Sequence, residues 1–132
     1  MSGSSKVMGT RYERKLVQYF GSIGFGAVRV TGSGAGGGMP KPDIVVNSPE
    51  FQRPYAVELK STNNDVVYIR GEQVEGLKSF CRRFGAVPLV CVKFHRMNFA
   101  FFKLADLYPT DNGYRVTRRN AMFKLDTGFD FV

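Results

Sequence analysis

From residue 9 to 24, apolar side chains recur at Tyr12, Leu16, Phe20 and Ile23, with Gly21 and Gly24 near the stop. Three-to-four spacing places them on one face of a helix. Ala27–Val30 reads as a short strand. Residues 31–41, TGSGAGGGMPK, hold five glycines. Glycine loses the most backbone freedom on ordering, so this stretch predicts a mobile loop. Asp43–Val46 and Tyr55–Lys60 read as strands around a turn at Asn47–Glu50, and Val66–Ile69 as a short β-branched strand. A second helix is predicted over Gly71–Phe84, with Val74, Leu77, Cys81 and Phe84 on one face and Gly85 as its stop. Val87–Phe94 is apolar and β-branched, the pattern of a buried central strand. Phe99–Leu104 is expected to pair with it through the His95–Asn98 turn. Weaker strands are expected around Tyr114–Thr117 and Met122–Leu125. The order α-β-β-β-β-α-β-β predicts an α/β fold, a mixed central sheet flanked by helices. With no repeat or long linker, residues 1–132 are expected to form one domain, its Ser- and Gly-rich residues 1–7 flexible.

On this framework three segments carry candidate chemistry: Pro42-Asp43, Glu58-Leu59-Lys60, and Glu13 in the first helix. Residues two apart on a strand share a face, so Glu58 and Lys60 point together while Leu59 turns to the core. Asp43 opens the neighbouring strand and can come beside Glu58. Carboxylates converging on one spot repel one another, and a divalent cation relieves the repulsion. Hard oxygen ligands select Mg²⁺ or Mn²⁺, which would polarise a phosphate and acidify a water. Lys60 would orient that water or hold the developing charge. The bland alternative is an ordinary surface ion pair between Glu58 and Lys60.

Charge narrows the partner. Nineteen Lys and Arg against eleven Asp and Glu give a formal +8. Between Glu75 and Asp106 lie Lys78, Arg82, Arg83, Lys93, Arg96 and Lys103 with no acid among them. Such an excess points to a polyanion, above all nucleic acid. No apolar run approaches the roughly 20 residues that cross a bilayer, and the N-terminus lacks a secretory pattern, so no membrane partner and a cytoplasmic location are expected. Cys81 and Cys91 are too few for a disulfide framework and read as core thiols. The single histidine, His95, lies in a turn and reads as a surface residue, and multi-histidine zinc sites are excluded. Gly32-Ser33-Gly34 lacks a following GK[ST] and a helix start, so no nucleotide cofactor is expected.

Taken in order, Gly9–Arg14, Gly24-Phe25 through Arg29, Gly32-Ser33, Pro42–Ile44, Val57–Lys60, Ser79–Gly85 and Val92–Phe94 resemble the archaeal Holliday junction resolvases of the Hjc type, members of the PD-(D/E)xK nuclease superfamily. The resemblance covers residues 9 to about 104. It implies a restriction-endonuclease-like fold and a Mg²⁺-dependent homodimer, with Mn²⁺ as a substitute. Such a dimer resolves four-way DNA junctions by paired nicks during recombination and repair. It implies Glu13, Asp43 and Glu58 as metal-site acids, Lys60 as the catalytic lysine, and Ser33 as a loop serine assisting catalysis. It implies DNA contacts at Arg14, Arg29, Ser33 and Lys93, and a dimer interface at Phe80 and Phe84. The residues themselves favour Phe80 for that interface, since Phe84 shares the helix's apolar face. The loop at 34–41 departs from the family pattern in its length and glycine content. Two other readings stay open: a restriction-type duplex endonuclease, and a non-catalytic basic nucleic-acid-binding module. Phosphate contacts, not base reading, are expected to select the substrate, because no element resembles a major-groove helix.

Overall fold

A computed structural model describes residues 2–30 and 40–122, with side chains described from Gly9 onward. Helix α1 (Ser2–Ser22) leads into β1 (Gly26–Arg29), β2 (Ile44–Asn47), β3 (Tyr55–Thr62) and β4 (Val66–Arg70). Helix α2 (Gly71–Phe84), β5 (Val87–Phe94) and β6 (Ala100–Phe102) follow. The described chain closes with β7 (Tyr108–Thr110), β8 (Gly113–Thr117) and the short α3 (Arg118–Met122). Five strands form the main sheet in the order β1-β2-β3-β5-β6. Only β3 and β5 run parallel, so the sheet is mixed as the element order predicts.

Two cores cover the two faces. On one face Leu16 and Phe20 of α1 pack, fully buried, on Ile44, Val46, Val57, Leu89, Cys91 and Phe101. Burying a side chain of this size contributes roughly 1.5–3 kcal/mol. On the other face Val74, Leu77 and Cys81 of α2 pack on Ala56, Val90 and Val92, together with Val67, Ile69 and Val116. Gln73 accepts the Arg70 N–H at 3.3 Å to start α2, and Gly85 ends it in the left-handed conformation, φ 78°.

Several expectations shift. The central position belongs to β3, with β5 beside it. α1 begins at Ser2, seven residues before its apolar periodicity. The strand expected to run to Leu104 stops at Phe102, where the chain enters a 3₁₀ turn at Leu104–Asp106. β4 leaves the main sheet and joins β8 and β7 in a second, three-stranded sheet. Met122, expected to open a strand, ends α3, and residues 123–125 lie outside the described residues. Phe84 is 54% exposed, not core. The αL turn at Gly85 bends the chain into β5 one residue after Phe84, leaving its ring beyond the edge of the packed face.

Candidate active site

The candidate chemistry gathers where β2 begins beside β3. Ile44 pairs with Val57 in an antiparallel ladder, and extending it by one residue sets Asp43 opposite Glu58. Ile44, Val57 and Leu59 face the α1 core, so alternation turns Asp43, Glu58 and Lys60 to the opposite face. Backbone bonds fix the start of β2: the Asp43 N–H donates to Val57 O at 3.0 Å, and Val30 N–H donates to Asp43 O at 2.9 Å. The Asp43 carboxylate in turn accepts the Leu59 N–H at 2.8 Å, which aims it across the strand between Glu58 and Lys60. Lys60 Nζ stands 3.8 Å from Glu58 Oε2, with both side chains largely shielded from solvent.

Electrostatics marks this pair as strained in its charged form. Burial is the main cause that raises the pKa of Asp43, opposed by the Leu59 N–H and reinforced by the charge of Glu13. Glu58 is pushed up to about 7, first by burial and then by the charge of Asp43, with Lys60 pulling the other way. A carboxyl poised near neutrality beside a second acid is a functional signature. Glu13 acts on both acids through space, while its own Oε1 accepts from Arg29 Nε at 3.1 Å. Among the described residues no three acidic, histidine or cysteine side chains close into a metal cage. The donor set fits a cation that needs none: Mg²⁺ is commonly held by one or two carboxylates, keeping its remaining positions for water and phosphate oxygens. Asp43 and Glu58 supply two hard oxygen donors whose repulsion such an ion would relieve.

The other candidates divide. Arg29 is committed to Glu13. Lys93 lies near the far end of β5, its Nζ donating to Phe94 O at 3.0 Å and resting 5.5 Å from the centre of the Tyr12 ring. Arg14 is exposed on α1. Ser33, and the glycine-rich stretch apart from Pro40 and Lys41, lie outside the described residues.

A family model for archaeal Holliday junction resolvase (Hjc) matches residues 4–132, nearly the whole chain. The chain belongs to the Hjc family. A relative from Archaeoglobus fulgidus, the crossover junction endodeoxyribonuclease Hjc, is 37% identical over 112 residues, covering 84% of this chain and 79% of that protein. The crossover junction endodeoxyribonuclease of Sulfolobus islandicus rod-shaped virus 1 is 32% identical over 119 residues, covering 88% of this chain and 91% of the viral one. The solved structure of Archaeoglobus fulgidus Hjc, described as a Holliday junction resolvase, superposes with a TM-score of 0.80 at 31% identity. It covers 90% of this chain and 96% of that one. The fold is therefore that of the Hjc nucleases.

Within this Hjc fold, Phe80 and Phe84 stack at 4.9 Å between ring centres, with their burial opposite to that expected from the helical periodicity. Phe80 packs partly buried against the α2 core, and Phe84 presents its ring to solvent. Sequence reasoning also missed Tyr12, the aromatic shelf beneath Lys15 and Lys93. Its place one residue before Glu13 was the available signal. Arg118, which donates to the carbonyl of His95, had none. Burial raises both thiols, Cys81 to about 11, consistent with unreactive core residues.

Proposed function

We propose that this protein is a divalent-metal-dependent endonuclease that resolves four-way DNA junctions. In this reading it acts as a homodimer in the cytoplasm, with Mg²⁺ as the natural ion and Mn²⁺ as a substitute. The observation that carries the reading is the half-buried Asp43–Glu58 pair with Lys60 beside it, in a chain of the Hjc family. Asp43 and Glu58 would hold the ion, with Glu13 able to contribute once released from Arg29. The chemistry a bound ion supplies there is polarisation of a phosphate oxygen and acidification of a water. Asp43 is held for this task by the Leu59 N–H, so its orientation costs nothing when DNA arrives. The Lys60 ammonium lies where it can orient the attacking water and offset charge on the phosphate as the bond breaks. Arg14, Arg29 and Lys93 would contact DNA phosphates, and Ser33 would reach the cleaved strand from its loop.

Resolution needs two symmetric cuts, and each chain has one carboxylate pair, so a two-fold dimer supplies both. Exposed Phe84, stacked on Phe80, is an apolar feature that such an interface would cover. Incubation with a labelled four-way junction and a linear duplex of the same sequence, with and without Mg²⁺, tests the reading. Cleavage confined to the junction and to the Mg²⁺ lanes is expected. Equal cutting of the duplex would favour a restriction-type enzyme, and binding without cutting a non-catalytic module.

A further inference from the structure

Past Lys60, at the end of β3, lies a polar pocket of about 230 Å³, walled by Tyr12, Ser61, Thr62, Asn63 and the Lys93–Arg96 segment. A volume of this size holds several waters, more than a bare ion needs. Its lining neighbours the candidate site along the chain. Tyr12 precedes Glu13 on α1, and Ser61 follows Lys60 on β3. Thr62 lies two residues past Lys60 and four past Glu58, about 13 Å from Glu58 along the strand. About four nucleotides of a DNA strand cover that span, at about 3.4 Å of helix axis each.

The lining has the chemistry of an anion site. Lys93 and Arg96 face it, with Lys15 and Arg118 close by, and among the described residues none of the four forms an ion pair. Lys93 is held below its ordinary pKa by burial and then by the charges of Lys15 and Arg118, a crowding of cations that an anion would relieve. The hydroxyl oxygen of Thr62 accepts the Asn64 N–H at 3.0 Å, which leaves its O–H to donate to a ligand. Ser61 and Asn63 are exposed and add further donors. The pocket is also pre-shaped. The Tyr12 ring carries Lys15 and Lys93 at 5.9 and 5.5 Å from its centre. Arg118 ties down the His95 carbonyl at the hairpin tip. Arg96 itself sits in the left-handed region, φ 59°, the one non-glycine residue there among those described. A bulky side chain held in that conformation is costly, and such strain concentrates at ligand clamps.

We infer that this pocket binds a non-scissile phosphodiester of the DNA strand and so registers the scissile phosphate on Asp43 and Glu58. The inference rests on the proposed nuclease reading and deepens it. Arg96, Thr62 and Asn63 are then positioning residues: they touch the strand but not the reacting atoms.

The test uses the full chain with Arg96→Gln and Thr62→Val, bound to a four-way junction without metal and then cleaved with Mg²⁺. Losing one phosphate contact should lower the salt dependence of binding, the slope of log K against log salt, by about one for Arg96→Gln. A single neutral methylphosphonate is next walked along the strand. The wild type should lose about tenfold in affinity at one phosphate that is not the cleaved one. Arg96→Gln should be indifferent at that position while keeping its sensitivity elsewhere, and its cuts should spread to adjacent phosphates. Thr62→Val should show the same pattern more weakly. Wild-type slope, methylphosphonate profile and cut position in both variants would overturn the inference. A wild type that binds the junction but never cuts it would overturn the nuclease reading instead, leaving the salt slope to judge the pocket.

Discussion

Burial, and then the charge of Asp43, raise the proton affinity of Glu58, and the direction of that effect sets a stability prediction. Glu58 titrates near 7 in the folded chain against 4.5 as an ordinary carboxyl, so the folded state binds its proton more tightly. Without metal, the penalty for the buried charge is absent below about pH 4.5 and complete above about pH 7. Glu58→Gln should therefore stabilise the metal-free protein by about 1–3 kcal/mol at pH 8 and little at pH 5. Thermal melts in chelator at the two pH values check this. Saturating Mg²⁺ should raise the wild-type melting temperature and leave Glu58→Gln unmoved, because only the intact pair binds the ion. Asp43→Asn and Glu58→Gln should each abolish cleavage while keeping junction affinity, which rests on Lys and Arg neutralising phosphates. Quantitative band shifts alongside the cleavage assay read both. At this scale the sequence pattern was a good guide: strand alternation placed Glu58 and Lys60 together and Leu59 inward. It could not foresee that Arg29 engages Glu13, since that contact depends on how α1 crosses the sheet edge.

Elements were legible where their apolar pattern was long and failed where it was short. α2 and β5 emerge as expected because fourteen and eight residues of consistent patterning outweigh local ambiguity. β7, three residues long and carrying a proline, offers no periodicity at all. β4 reads as a strand from its β-branched run, but nothing local tells which sheet it joins. Phe84 misled because helical periodicity says which residues share a face, not where the packed partner ends. Of the two interface candidates, Phe84 is therefore the one whose ring is exposed to a partner. Phe84→Ala should weaken the dimer by about 2 kcal/mol, a roughly thirtyfold rise in its dissociation constant, with an unchanged monomer melt. Sedimentation across micromolar concentrations measures it, and a wild type that remains monomeric there would remove the dimer. In the second sheet, Gly113 meets the Ile69 carbonyl so closely that a Cβ would collide with backbone. Gly113→Ala should cost about 1–3 kcal/mol in a denaturant titration by forcing β4 and β8 apart.

For the whole molecule, α1, α2 and the second sheet cover the two faces of the main sheet, with the half-buried Asp43–Glu58 pair on its inner strands and a basic pocket past the end of β3. A +8 chain would gather DNA by phosphate contacts, and chemistry would follow only where the carboxylate pair meets a strand. The central claim is that two such pairs cut one junction symmetrically. The most direct measurement labels each strand of a four-way junction in turn and digests it with wild type and with Glu58→Gln in Mg²⁺. The account predicts paired nicks at symmetry-related positions in two opposing strands for the wild type and none for Glu58→Gln. Undiminished nicking by Glu58→Gln, or wild-type nicks at unrelated positions on single strands, would contradict it.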